Sequence, residues 1–253
     1  MHGLENWQAR QLRITLFTNA AVPLAEAGLE SVFSVEPETR VQLKNEASNI
    51  EIGSFGTGKI QFRSSPNRLD WIWEGEQVDQ SFASLGSAHE VLDIMTGRLI
   101  NFFSGTNHSF SRMALGGAWG IPSKDRLESY RILQEFLPNV TIDGDNSSEF
   151  LYQINRWKIH ELSGEKIKIN RISKWSARVA LLGAQLQAQP NLAGQVIFST
   201  SSGIEIHEAG CELDLSTPAD LPRPISREEC ITLLESLKEM TLEILEIGDG
   251  IKN

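Results

Sequence analysis

Apolar and polar residues alternate along this chain in short runs, broken by longer stretches with helical spacing. Leu12, Ile14 and Leu16 alternate with Arg13, Thr15 and Phe17, a period of two that predicts a strand. Pro23-Leu24 opens a short helical pattern with Leu29, Val32 and Phe33 on one side, proline being tolerated in a first turn. Four alternating runs follow: Val41/Leu43, Ile50/Ile52, Ile60/Phe62 and Leu69/Trp71/Trp73. Turn-forming residues such as Gly56-Thr57-Gly58 and Ser65-Pro66-Asn67 separate them. Ser87-Ala88-His89-Glu90 reads as a capping box. It starts a helix whose apolar stripe is Val91, Leu92, Met95, Leu99, Phe102 and Phe103.

The pattern then recurs. Phe110, Met113 and Leu115 predict a strand that runs into Gly116-Gly117-Ala118-Trp119-Gly120. Ser123 is the expected N-cap of the next helix, with Asp125 in its first turn complementing the dipole. That helix carries Leu127, Tyr130, Leu133 and Leu137, and Pro138 ends it. Two apolar-basic runs between Glu149 and Ala184, on either side of Ser163-Gly164-Glu165, predict a long β-hairpin. Strands at Val196–Ser199 and Cys211–Leu215 come next, then a stiff connector with Pro218, Pro222 and Pro224. A second capping box, Ser226-Arg227-Glu228-Glu229, opens a final helix with Leu233, Leu234, Leu237, Thr241, Ile244 and Leu245 on its apolar face.

Each half therefore reads strand, helix, four strands, long capped helix, with residues 1–104 and 105–253 as the two units. The fold class is α+β, with antiparallel sheets and helices on one face. An internal duplication accounts for the recurrence; one antiparallel sheet whose pattern repeats by accident is the alternative.

Composition narrows the partners. Hydrophobic residues make up 40% of the 253, which excludes disorder and supports a sizeable core. Lys and Arg number 23 against 33 Asp and Glu, a net charge of −10 that opposes non-specific nucleic acid binding unless the basic residues gather on one face. Cys211 and Cys230 sit among apolar neighbours, as free thiols of a reducing compartment do. The N-terminus lacks the cationic and apolar regions of a secretory leader, and no apolar run nears the roughly 20 residues of a membrane span. A cytoplasmic protein without membrane contact is expected.

Candidate catalytic and metal motifs fail on inspection. Gly53-Ser54-Phe55-Gly56-Thr57-Gly58-Lys59 has the glycines of a phosphate loop, but a strand and not a helix follows it, so a hairpin turn is expected. His89 and Asp93 are spaced like zinc ligands on a helix, yet the second histidine is missing and a solvated pair explains them. Asp143-Gly144-Asp145-Asn146-Ser147 begins like a calcium loop without its later ligands, which leaves a polar turn. No Gly-x-Ser-x-Gly occurs, and no catalytic residue, cofactor or metal is assigned.

The hairpin holds the one dense basic set: Arg156, Lys158, Lys166, Lys168, Arg171, Lys174 and Arg178, interleaved with Trp157 and Trp175. Converging on one outward plane, these nine residues would form a partner-binding platform. Lysines that solubilise a sheet and block edge pairing are the competing account. The expected function is a non-catalytic interaction or accessory protein whose partner is an acidic protein or a second copy in a homodimer. Nucleic acid on the same face is the alternative. An enzyme or ligand carrier, with a pocket lined by Trp71, Trp73, Met95 and Phe102, is a further one. The run Ser147-Ser148-Glu149-Phe150-Leu151-Tyr152-Gln153-Ile154-Asn155-Arg156, followed by Ile169-Asn170-Arg171-Ile172-Ser173-Lys174-Trp175, resembles uncharacterised bacterial proteins of sporadic distribution. That resemblance covers the second half, implies a bacterial or phage origin, and carries no chemistry.

Overall fold

A computed structural model of the chain describes residues 2–77, 81–182, 186–190, 196–200 and 203–250, the third and fourth of these by backbone alone. The expected hairpin stretch overruns this at 183 and 184, which lie outside the described residues. The first half contains β1 (Gln8–Thr18), the short helices α1 (Leu24–Ala27) and α2 (Leu29–Phe33), then β2 (Thr39–Leu43), β3 (Ser48–Phe55), β4 (Gly58–Ser65) and β5 (Arg68–Gly75). A two-residue strand β6 (Gly86–Ser87) leads into α3 (Ala88–Gly105). The second half contains β7 (Phe110–Ser123), α4 (Arg126–Phe136), β8 (Leu151–Asn155), β9 (Lys158–Leu162) and β10 (Glu165–Leu182). It continues with β11 (Leu186–Pro190), β12 (Val196–Thr200), β13 (Ile204–Ser216) and α5 (Arg227–Ile247).

The fold is α+β, a large antiparallel sheet with helices packed against it. Its strand order is β2-β3-β4-β5-β1-β7-β13-β10-β8, with β6 on β1 and β9 on β10; β11 and β12 form a separate ribbon. Period two decides which side of each strand is buried. Leu12, Ile14 and Leu16 are buried on the helix side of β1, and Cys211, Leu213 and Leu215 on that of β13. Among the described residues no helix packs on the opposite face, which carries charged side chains such as Arg13, Lys174, Glu212 and Asp214.

The two halves meet at β1 and β7; β5 and the short β6 pair with β1, and β13 pairs with β7. Ile14 faces Leu115, Leu12 faces Gly117 and Leu16 faces Met113 in an antiparallel register. Buried side chains of both halves form one hydrophobic cluster. Trp71, Trp73, Met95 and Phe102 belong to that cluster, with the Trp71 and Phe102 rings 5.5 Å apart and the Trp71 indole donating to Ala27 O at 3.0 Å. They build aromatic core between sheet and α3.

Two local expectations need correction. The strand β7 passes straight through Gly116, Gly117 and Gly120 up to Ser123, because backbone pairing to β1 and β13 on both sides overrides the turn preference of glycine. Ser123 consequently ends a strand, and Asp125 caps α4 by accepting from Glu128 N at 2.8 Å. Ser87 caps α3, but the Glu90 carboxylate takes the Ser87 hydroxyl at 2.7 Å where a capping box would have the Ser87 amide. Only Ser226 closes the full box with Glu229. There the Arg223 guanidinium, at 2.7 and 2.8 Å, holds the Glu229 carboxyl down at about 2.

Candidate functional site: the hairpin and the helix-free face

The hairpin turns on Ser163 (φ 49°) and Gly164 (φ 84°), both left-handed as a two-residue hairpin loop demands. This turn fixes the register, and the register splits the basic set. Lys158 lies opposite Ile169 and His160 opposite Ile167, so the side chains of Lys158 and His160 join the helix side with those isoleucines. Lys168 lies opposite Ile159 and Lys166 opposite Glu161, on the other side. Lys158 and Arg171 therefore point to the helix side and Lys166 and Lys168 away from it, and the single outward plane expected from the sequence does not form.

On the helix side the cations hold the C-terminal helix. Arg171 is 1% exposed; its guanidinium donates to Glu243 of α5 at 3.0 Å and to Arg156 O at 2.8 Å. Burial lowers its pKa and Glu243 opposes that shift. Lys158 reaches the same Glu243 at 3.0 Å, and Arg156 pairs with Asp249 just beyond α5. Tyr152 donates its hydroxyl to that carboxylate at 2.7 Å. Burial raises the Asp249 pKa, and the hydrogen bonds from Arg156 and Tyr152 outweigh it, leaving the carboxyl below its ordinary range. Trp175 is fully buried, its ring stacked on Phe136 at 5.9 Å between centroids. Arg171 and Trp175, two of the nine expected contact residues, are thus core.

The helix-free face takes Lys174 and Arg178, each in an ion pair. Lys174 meets Glu212 at 3.2 Å, and Arg178 meets Glu208 at 3.0 Å and Glu212 at 3.6 Å. Glu208 is fully buried between Arg178 and Arg10, whose Nη2 lies 2.8 Å from it. Gly120 and Gly210 make the room: a Cβ on Gly120 would strike the Glu208 carboxylate, and one on Gly210 the Arg178 guanidinium. Arg10 also donates to Ala83 O at 2.8 Å, which ties the segment before β6 to the sheet. Beside this triad a trough of about 440 Å³ is floored by Gly116, Gly117 and Ala118 and walled by Arg13, Lys174 and Asp214. Sequence reasoning missed the triad. Its acidic member was visible as the polar phase of β13, but its partners lie 198 and 30 residues away.

What remains outward is small and well defined. Trp157 is 43% exposed and Ile159 50%, and Lys168 Nζ stands 4.2 Å from the Trp157 ring centroid. Lys166 is exposed on the same side. No ion pair to Lys166 or Lys168 occurs among the described residues.

No protein-family model matches the chain, and no curated protein matches it in sequence.

The remaining motifs behave as ordinary structure. His89 and Asp93 form an exposed pair at 2.9 Å, and Asp143 accepts from the amides of Asp145 and Asn146 to close its own turn. Gly56 (φ 55°) and Thr57 make the β3–β4 turn, and Lys59 is held by Glu38 at 2.9 Å. Cys211 and Cys230 are free and buried, and burial pushes both thiols up, away from a reactive thiolate. Among the described residues no three His, Cys, Asp or Glu side chains converge as metal ligands, and no helix is long and apolar enough to cross a membrane.

Proposed function

We propose that the protein is a non-catalytic bacterial interaction module of the reducing cytoplasm, docking an acidic protein surface on the outer face of its hairpin. One observation carries this reading: Trp157 and Ile159 stay half exposed beside Lys166 and Lys168, in a chain that otherwise buries its tryptophans or ion-pairs most of its hairpin cations. A large aromatic flanked by ammonium groups suits an interface anchor, because the ring supplies apolar area and the lysines select a negative rim. The overall charge of −10 repels other acidic molecules everywhere except at such a patch.

A photo-crosslinker placed at Ile159 tests this in living cells. A discrete adduct with an acidic protein is expected, lost in the K166E/K168E double variant and absent when the crosslinker sits at Arg40 on the far edge strand. Equal adducts at both positions, or an adduct indifferent to charge reversal, would contradict the reading.

Nucleic acid on the same patch is the second reading, favoured by the exposed Trp157 ring as a base-stacking surface. It requires salt-sensitive binding carried by Lys166 and Lys168.

A further inference from the structure

The strand β8 ends the sheet, and among the described residues nothing pairs with its outer side. Which backbone groups it leaves free follows from its inner pairing. Arg156 N–H donates to Arg171 O at 3.0 Å, so by two-residue alternation Tyr152 and Ile154 also bond to β10. Leu151, Gln153 and Asn155 then aim their N–H and C=O groups away from the sheet.

Edge strands are ordinarily protected by lysine, proline, a bulge or a covering helix. Leu151-Tyr152-Gln153-Ile154-Asn155 carries no charge and no proline, and Leu151, Gln153 and Asn155 are all exposed. The opposite edge differs: β2 carries Arg40, which pairs with Glu51 at 3.0 Å.

We infer that a second copy of this chain occupies the β8 edge, pairing antiparallel about Gln153 and joining the two sheets into one. In that register Gln153 faces Gln153 of the second copy, and Leu151 faces its Asn155. All three outward residues are then used, giving about six main-chain hydrogen bonds. Tyr152 faces Ile154 of the second copy on the helix side, an aromatic against a β-branched residue, a pairing that sheets favour. Charge agrees as well. Continuing the same register outward sets Glu149 of the second copy opposite Trp157, whose ring carries Lys168, and no like charges face each other. A register shifted by two residues leaves one of the three outward residues unpaired.

Sedimentation equilibrium of the full chain at micromolar concentration tests the inference. The wild type is expected at twice the chain mass of 28.2 kDa. Gln153→Lys sets two ammonium groups face to face at the axis, and Gln153→Pro removes an outward N–H without breaking an internal bond. Each variant is expected to halve the mass while keeping the wild-type circular dichroism spectrum. If Gln153→Pro fails to fold, Gln153→Lys alone decides. A monomeric wild type overturns the inference, and so does a dimer that survives Gln153→Lys. Because this register brings the second copy alongside Trp157, the crosslinker at Ile159 separates the two readings by the identity of the adduct: a second copy of this chain reports the β8 edge, a different acidic protein the hairpin patch.

Discussion

Arg171 shows how one residue changes meaning between sequence and structure. In the sequence it belongs to a basic run; in the fold it is an internal donor that satisfies Glu243 and Arg156 O. Removing one member of a buried pair strands the other, which costs several kcal/mol when both are dry. Glu243 is 29% exposed and keeps Lys158, so the cost falls toward the low side. Arg171→Ala is expected to lose about 2–4 kcal/mol in urea denaturation, and Arg171→Met less because it refills the volume. A loss within experimental error would show that Arg171 is no strut. Trp175 reads the same way: its neighbours in sequence are Lys174 and Ser176, but its neighbours in space are Phe136 and Trp7.

At the scale of the element, β7 departs furthest from its sequence pattern. Gly117 and Gly120 are there because bulkier residues would not fit. Gly120 faces the buried Glu208 carboxylate, which two arginines hold in place and which cannot swing aside cheaply. Gly120→Ala is expected to lower stability by about 1–3 kcal/mol, the cost of overpacking a fixed group. Gly97 in the middle of α3 is the control, having open space where a Cβ would go. Gly97→Ala should stabilise by about 0.5–1 kcal/mol through helix propensity alone. Thermal denaturation of the two variants gives opposite signs if close approach is what keeps glycine at position 120. Both variants destabilising equally would count against that explanation.

For the whole molecule, charge decides between partners. Of the seven hairpin cations, Arg156, Lys158, Arg171, Lys174 and Arg178 are spent on carboxylates, leaving Lys166 and Lys168. Two phosphate contacts give a salt dependence of only about −1.4 in log affinity against log salt for a single strand. Fluorescence anisotropy with a single-stranded oligonucleotide between 50 and 200 mM salt is therefore expected to show weak binding with a slope no steeper than about −2, or none. A steep slope would mean that cations of the helix-free face abandon their carboxylates to meet phosphate, and would favour the nucleic acid reading.

Element type and core membership were legible in the sequence, because the periods of strand and helix are local. The Ser226 capping box, the stripe of α5 and the burial of Leu12, Ile14 and Leu16 all follow from spacing within a few residues. The direction of each cation was not legible. It depends on pairing across the Ser163-Gly164 turn and on carboxylates 72 residues (Arg171 to Glu243) and 93 residues (Arg156 to Asp249) along the chain. Only the tertiary structure brings these together, since a charge selects its partner by distance in space, and one step of register moves a side chain to the opposite face of the sheet.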